Sequence, residues 1–388
     1  MSMATPNDPF KTCPTAVRTD WPTADWKRRF RRRLLGWFRR AARDLAWRQS
    51  RDPYRVWVSE IMLQQTQVAT VSAYFPRFLA AFPHVAALAA VPEEDVLRQW
   101  EGLGYYRRAR QLHRAAGVIV REHAGRFPSD FDAIRALPGI GRYTAGAIAS
   151  IAFDLRRPIL EANTIRLLSR LVAYRGDPRQ AAGQKLLWTL AAELLPKSGC
   201  GEFNQALMEL GSLVCAPRQP HCQECPLSAL CPTHRDGLQQ LVPLVRQKPP
   251  AEAVREAAVV VRRRGRVLLL RRGDGGRWAG LWDFPRFPLA SPGQVDRTDE
   301  LIAGVRALTG VVVRPLRKLT TLKHGVTRFR ITLDCHLADY VSRPRGAGRA
   351  VEIAWVMPAA LEGYPLNVTG RKLGRLVATA ELPTGWPR

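Results

Sequence analysis

Four of the seven cysteines, Cys215, Cys222, Cys225 and Cys231, follow one another with the spacing C-x6-C-x2-C-x5-C. Thiolates this close in sequence can meet at one centre, and their softness suits an iron–sulfur cluster and a zinc ion alike. Four unliganded thiols are the plain alternative, but such crowding in a reduced chain points to metal. Cys13, Cys200 and Cys335 stand apart and read as ordinary thiols. A second candidate is Leu137-Pro138-Gly139-Ile140-Gly141, lying between two helical segments. Its glycines let the backbone turn sharply and present bare N–H groups. Unpaired amides at a helix N-terminus can hold phosphate, although an ordinary interhelical turn has the same composition. Glu60 falls inside a helical pattern, where a glutamate is usually a solvated surface residue.

The helix carrying Glu60 is announced by Asp52-Pro53, an N-cap followed by a first-turn proline, and by Tyr54, Trp57, Val58, Ile61 and Met62 at helical spacing. Helical patterns start near Trp26 and recur over about 67–82, 92–100, 106–123, 130–136, 142–153, 163–173, 180–195 and 202–213, with no strand pattern between them. After the cysteines the character changes. Pro243, Pro249 and Pro250, with Lys248 and Glu252, mark a linker. Residues 257–261 and 267–270, joined through Arg263, Arg264 and Gly265, then read as a hairpin, 301–308 as a helix and 329–333 as a strand. A chain of 388 residues exceeds one ordinary core. The expected plan is a flexible lead-in (1–25), a mostly α domain (26–235) with the cysteine loop at 215–231, a linker (236–253), a smaller α/β domain (254–378) and a tail (379–388).

Lysine and arginine number 60 against 33 acidic residues, a net charge of +27. Such a surplus attracts a polyanion, with nucleic acid favoured over a membrane surface. Apolar residues make up 46%, which excludes a wholly disordered chain. No stretch approaches the ~18 apolar residues of a membrane span. The first residues lack an apolar signal core, so an intracellular, cytoplasmic protein is expected. Arg28, Arg29, Arg31, Arg32, Arg33, Arg39, Arg40 and Arg43 share one expected helix with Phe30, Leu34, Leu35, Trp37 and Phe38. The apolar members suit a buried stripe, and the arginines either a solvated face or a phosphate contact.

The cysteine spacing resembles the cluster loop of the endonuclease III and MutY glycosylases, which implies a [4Fe-4S] cluster and brings Arg218 and His221 to an electropositive edge that can meet phosphate. The segment 137–148, LPGIGRYTAGAI, resembles the helix-hairpin-helix of that superfamily. Bifunctional relatives carry a Schiff-base lysine where this chain has Tyr143, which is no amine nucleophile. The resemblance therefore implies a monofunctional glycosylase. Residues 53–68, PYRVWVSEIMLQQTQV, and 101–106, EGLGYY, resemble the adenine-specific branch. On that resemblance Glu60 protonates adenine, Gln65 and Tyr105 insert into the DNA stack near the opposing base, and Thr66 and Leu103 lie in the same DNA-contacting segments. Arg48 falls where the family has a pocket arginine, Trp47 can border the flipped base or simply pack, and Gln205 matches a position that can read adenine's exocyclic amine. The partner implied is double-stranded DNA holding a mismatch or oxidised guanine, bound by a monomer.

The segment 158–170, PILEANTIRLLSR, departs from the family at its second carboxylate. The family has Asp-Gly-Asn, in which the aspartate stabilises the sugar cation and helps activate water; here the residues are Glu161, Ala162 and Asn163. Glu161 is one methylene longer, and Ala162 lacks the positive φ open to glycine. Residues 277–286, RWAGLWDFPR, resemble the Nudix-like C-terminal domain of the adenine glycosylases. The segment 299–310 lacks the paired glutamates of a magnesium-dependent Nudix hydrolase, so recognition rather than hydrolysis is expected. A Phe-Ser-His turn senses 8-oxoguanine in the family; this chain has Val326-Thr327-Arg328 after His324, and only the Thr327 hydroxyl is kept. Three functions follow: removal of adenine from a mismatch, removal of another base, or DNA binding by a homologue without catalysis.

Overall fold

The computed structural model describes residues 23–244, 249–273, 275–290, 297–344 and 352–378. Most of the expected lead-in with Cys13, and the tail, lie outside the described residues. In chain order the helices are α1 (Ala24–Ala41), α2 (Pro53–Leu63), α3 (Val68–Ala81), α4 (Val85–Ala90), α5 (Glu93–Gln99), α6 (Arg107–Glu122), α7 (Phe131–Ala136), α8 (Arg142–Phe153), α9 (Ala162–Leu171), α10 (Ala181–Leu194), α11 (Cys200–Leu213) and the short α12 (Pro232–Arg235). Strands β1 (Glu252–Arg263), β2 (Arg266–Arg271), β3 (Trp282–Asp283) and β4 (Arg286–Pro288) come next, then α13 (Thr298–Thr309), β5 (Val312–Val326), β6 (Phe329–Ser342), β7 (Ile353–Val356) and α14 (Val368–Ala378). The chain divides into two compact units. One holds the described residues up to Gln64 and again from Arg126 through the cysteine loop; the other holds Gln65–Gly125 and the C-terminal α/β part.

In the first unit, α1 turns Phe30, Leu34 and Phe38 into a core shared with Leu167, Leu168 and Leu171 of α9, Leu187, Leu190 and Leu194 of α10, and Phe203, Leu207 and Leu210 of α11. Leu35 and Trp37 pack at its edge. The same core continues into Leu227 and Leu230, so the cysteine loop is built onto the helices. Much of the α1 arginine run is absorbed by structure. Arg31 donates to the carbonyls of Glu193, Leu194 and Leu195 at the end of α10, where orphan carbonyls and the helix dipole favour a cation. Arg39 pairs with Glu202, and Arg28 with Asp25.

The second unit combines α3 to α6 with a seven-stranded sheet of order β3-β2-β1-β6-β5, to which β4 adds on β1 and β7 on β2. β1 and β6 are parallel, and β5 and β6 antiparallel. Side chains alternate across a strand, so Ala258 and Val260 of β1 face a layer with Leu373 and Val377 of α14, while Ala257, Val259 and Val261 face Leu301 and Val305 of α13. The sheet is thus covered on both faces, as its apolar central strand requires. No helix among the described residues is long and apolar enough to cross a membrane.

Candidate active site

Asp52 caps α2 by accepting from the N–H groups of Tyr54 and Arg55, with Pro53 in the first turn. From Val56 to Met62 the helix is buried on all sides, and Glu60 within that stretch is 5% exposed. α2 packs on α8, where Tyr143 occupies the first turn just after the glycine hairpin. The Tyr143 hydroxyl donates to Glu60 Oε2 at 2.7 Å and lies 3.3 Å from Met208 Sδ of α11. Gln64 Nε2, donating to Thr144 Oγ1 at 3.2 Å, ties the end of α2 to the same helix.

Burial pushes the Glu60 carboxyl up to about 7, the charge of Glu161 adds to the rise, and the Tyr143 hydrogen bond and Arg48 act against it. The group is therefore a carboxylic acid for much of its population at neutral pH. Burial, with Glu60 and Glu161 nearby, holds the Tyr143 phenol well above its ordinary value, so it stays a donor.

Glu161 is the N-cap of α9. Its Oε2 accepts from Asn163 N at 2.8 Å and its Oε1 from Thr164 N at 2.9 Å, while its own N–H donates to Thr164 Oγ1 at 2.8 Å. This is a reciprocal capping box. Burial raises the carboxyl; the two amides and Arg166 counter it. Ala162 begins α9 as an ordinary helical residue and is absent from the positive-φ positions, so the site does not require a glycine there. The helix can lie this close to α11 because Gly211 has no side chain: a Cβ there would stand 2.8 Å from Asn163 Cβ. Asn163 Oδ1 accepts from Arg166 Nη2 at 2.8 Å.

Arg48 ends a 3-10 turn, Ala46–Arg48, and donates to Glu209 Oε2 at 2.8 Å and to the Arg43 carbonyl at 3.2 Å. Trp47 is buried in the same turn. Gln205 is half-buried, with Nε2 3.4 Å from its own helix's Gly201 carbonyl. In the hairpin, Gly139 has φ +78, Ile140 N donates to Leu137 O at 3.1 Å, and Gly141 caps α8. Both glycines are exposed, leaving the first amides of α8 accessible to an anion.

The four clustered cysteines line one cavity together with Leu167, Leu171, Val214, Leu227 and Arg170. Among the described residues no group of three His, Cys, Asp or Glu side chains is placed to hold a metal ion. Arg170 Nη1 lies 3.4 Å from Cys215 Sγ. The amide of Leu227 donates to Cys225, and those of Thr233 and His234 to Cys231. Soft sulfurs around an apolar cavity, with N–H donors aimed at them, fit an iron–sulfur cluster. Arg218 and His221 are exposed on the loop between the first two cysteines.

In the second unit, Gln65 and Tyr105 are exposed and hold φ of +59 and +46, a region that residues with a Cβ seldom adopt. Arg108 joins their segments: its Nη2 donates to Thr66 Oγ1 at 3.1 Å and to the carbonyls of Leu103 (3.4 Å) and Gly104 (3.3 Å). Its guanidinium lies over the rings of Trp100 and Tyr105. Leu103 is buried, so of that segment Tyr105 is the side chain presented outward. Thr327 is exposed at the tip of the β5–β6 hairpin with φ +50, its hydroxyl on the Val326 carbonyl at 2.8 Å. His324 is held inside by Arg286, whose Nη2 is 3.2 Å from Nε2.

Residues 58–193 match the HhH-GPD superfamily of base excision DNA repair proteins, and residues 257–374 match a NUDIX domain. Curated adenine DNA glycosylases from Rattus norvegicus and Homo sapiens are 38% and 34% identical over 356 and 358 residues; 78% of this chain matches, across 69% and 65% of theirs. This chain belongs to the adenine DNA glycosylase family. The solved structure of a thermostable thymine-DNA glycosylase, 30% identical with a TM-score of 0.51, covers 55% of this chain and 98% of its own. The fold of this adenine DNA glycosylase family member is thus a helical helix-hairpin-helix part followed by a smaller Nudix-like part.

Four residues that sequence reasoning passed over organise the site of this family member. Glu209 is buried and accepts from Arg43 and Arg48, which hold its carboxyl at about 2 against the opposing effect of burial. Arg166 and Arg170, four apart on α9, donate to Gly211 O and Cys215 O and to Ala216 O and Val242 O respectively. One helix therefore has Glu161 at its head and the cysteine loop at its foot. Arg108 is the fourth. Glu209, Arg166 and Arg170 each stand as a charged residue among apolar neighbours in a helical run, whereas Arg108 lies among other arginines and carries no such signal.

Proposed function

We propose that this chain is a monofunctional DNA glycosylase of base excision repair, hydrolysing the N-glycosidic bond of adenine paired with 8-oxoguanine or guanine in chromosomal DNA. The observation that carries this reading is Glu60, buried, protonated near neutral pH and gripped by Tyr143 at 2.7 Å. Adenine leaves poorly as an anion. Glu60 gives it a proton as the C–N bond breaks, and the hydroxyl of Tyr143 fixes the acid's orientation and stabilises the carboxylate left behind. The sugar becomes electron-poor. Glu161, kept at the head of α9 by two amides, faces that charge with Asn163 and takes the proton of the attacking water, leaving an abasic site and free adenine. With a phenol at position 143 in place of an amine, no imine forms with the sugar.

Arg48, set by Glu209, supports the pocket with Trp47 and Gln205. Gly139, Gly141 and Arg218 hold phosphates, and Gln65, Thr66, Tyr105 and Thr327 serve the strand opposite adenine, while Leu103, expected there too, is buried and packs beneath the loop. Cys215, Cys222, Cys225 and Cys231 would hold a [4Fe-4S] cluster, a reading supported by their lining one cavity together with apolar side chains. When bound it fixes the loop that presents Arg218; the base-removal chemistry needs no electron transfer. The domain limits we assign are 26–235 for the glycosylase part and 254–378 for the recognition part, in a monomer.

The test is single-turnover base release from duplexes carrying each base pair and each 8-oxoguanine pair, with borohydride added to trap any imine. Adenine release from A·8-oxoguanine and A·G without trapping supports the reading. Release of a different base favours the second reading, which rests on Glu161 and the altered turn at Thr327. Efficient trapping sinks the monofunctional assignment.

A further inference from the structure

Tyr105 lies on the loop between α5 and α6, and that loop is not held by local preference. Gly102, Gly104 and Tyr105 have φ of +97, +71 and +46, so three of its residues are left-handed and the shape must be imposed by neighbours. Part of the restraint is local: Tyr74 Oη donates to Glu101 O at 2.8 Å, and Gly102 N donates to Tyr106 Oη at 3.2 Å. The rest comes from the far end of the sequence. Arg371 of α14 grips the Glu101 carboxylate with a bidentate fork, Nε to Oε1 at 2.6 Å and Nη2 to Oε2 at 2.7 Å. Leu366 N adds a 3.4 Å contact to Oε2. Arg371 is itself fixed, donating to Leu361 O and Tyr364 O, each at 2.7 Å. Both side chains are mostly shielded from water, at 15% and 17% exposure, which limits screening by salt. The loop and the C-terminal part belong to one compact unit.

We propose that the Arg371–Glu101 pair is a positioning element through which the Nudix-like part sets the shape of the Tyr105 loop, and with it the insertion of Tyr105 beside the base opposite adenine. A planar fork on a carboxylate fixes direction as well as distance. Glu101 directly precedes Gly102, the first of the left-handed residues, so its orientation is passed to those that follow. Arg371 touches no reacting group. It acts through Glu101 and the loop, and a change in the C-terminal part that moves α14 moves the wedge. The proposal rests on the reading of Tyr105 as a DNA wedge.

The test uses the full, cluster-loaded chain and a duplex whose target adenosine carries a 2′-fluorine to prevent cleavage, with 2-aminopurine beside the opposing base to report unstacking. Arg371→Ala and Glu101→Ala should each weaken mismatch binding by about 5- to 150-fold, the usual range for coupling between sites. Each should also reduce the fluorescence rise, with affinity for fully paired DNA and iron content unchanged. The double variant should be no worse than the weaker single, because both remove one interaction. Should Arg371→Ala lose iron, the near-isosteric Glu101→Gln carries the same test. If Tyr105→Ser leaves the fluorescence rise intact, the wedge reading fails and the proposal with it. If Tyr105→Ser abolishes the rise while the Arg371 and Glu101 variants keep it, or if their losses add in the double variant, the positioning role alone is overturned.

Discussion

Removing the Glu60 charge should stabilise the fold in a pH-dependent way while it destroys activity. Burial lifts this carboxyl from an ordinary 4.5 to about 7. Below pH 4.5 both the folded and unfolded chains hold the proton, and Glu60 places no pH-dependent burden on folding. Between about 4.5 and 7 the unfolded chain releases the proton and the folded chain keeps it, so stability falls as pH rises, by about 1.4 kcal/mol per pH unit. Above 7 both are ionised and the loss levels off at about 3 kcal/mol. Glu60→Gln has no such group, and its amide oxygen still accepts from Tyr143. Measured by chemical denaturation, its stability relative to the parent should rise by about 3 kcal/mol from pH 4.5 to 8 and then stay level. Single-turnover adenine release should fall by about 10²- to 10⁴-fold, the usual contribution of a general acid. A stability difference between the two proteins that does not change with pH would refute the raised carboxyl, and with it the argument that Glu60 reaches neutral pH still holding its proton.

Glu161→Gln keeps a capping oxygen but removes the charge facing the sugar, so single-turnover base release should fall by about 10²- to 10³-fold. Glu161→Asp remains a good N-cap but draws the carboxylate back by one methylene, and should slow release with the melting temperature held; unchanged rates in both variants would leave Glu161 as a helix cap and no more. Cys222→Ser should lose iron, measured by metal analysis, and DNA affinity together; native protein with stoichiometric zinc would overturn the cluster. Tyr143→Lys should introduce a borohydride-trappable adduct, because an amine then stands beside Glu60; an adduct from the unaltered chain would contradict the monofunctional assignment.

Helices with strong termini were legible. Asp52-Pro53 announced α2, and the expected segment 142–153 coincides with α8 (Arg142–Phe153). The C-terminal part was read less completely, for physical reasons. β5 (Val312–Val326) was missed because register shifts break its alternation and Arg314, Arg317, Lys318 and Lys323 leave much of it exposed. α14 was missed because Gly370 and Gly374 count against a helix; yet a Cβ at Gly370 would stand 3.0 Å from Asp283 Oδ1, so packing overrides propensity there. Buried arginines were hidden for a different reason. Against 60 lysines and arginines, composition cannot distinguish Arg166, Arg170 and Arg371, which hold the structure together, from those that face solvent.

The departure at Glu161 shows where sequence reasoning reaches its limit and geometry takes over. An extra methylene and the loss of a glycine suggest a carboxylate out of place. In the structure the longer side chain folds back on its own helix, and the two amides at the head of α9 take one oxygen each. Those donors favour the ionised form of Glu161, and its charge in turn raises the proton affinity of Glu60, which burial has already raised. Burial raises both carboxyls, and they differ in what counters it: two helix amides and Arg166 at Glu161, the Tyr143 hydroxyl and Arg48 at Glu60. Glu60 has a buried seat on the Tyr143 hydroxyl and Glu161 has two helix amides on its oxygens, the two settings that a reaction with a protonated leaving group and a cationic sugar uses. Neither residue type nor spacing carries that difference, because it arises from what each buried carboxyl meets, a phenol in one case and a helix N-terminus in the other.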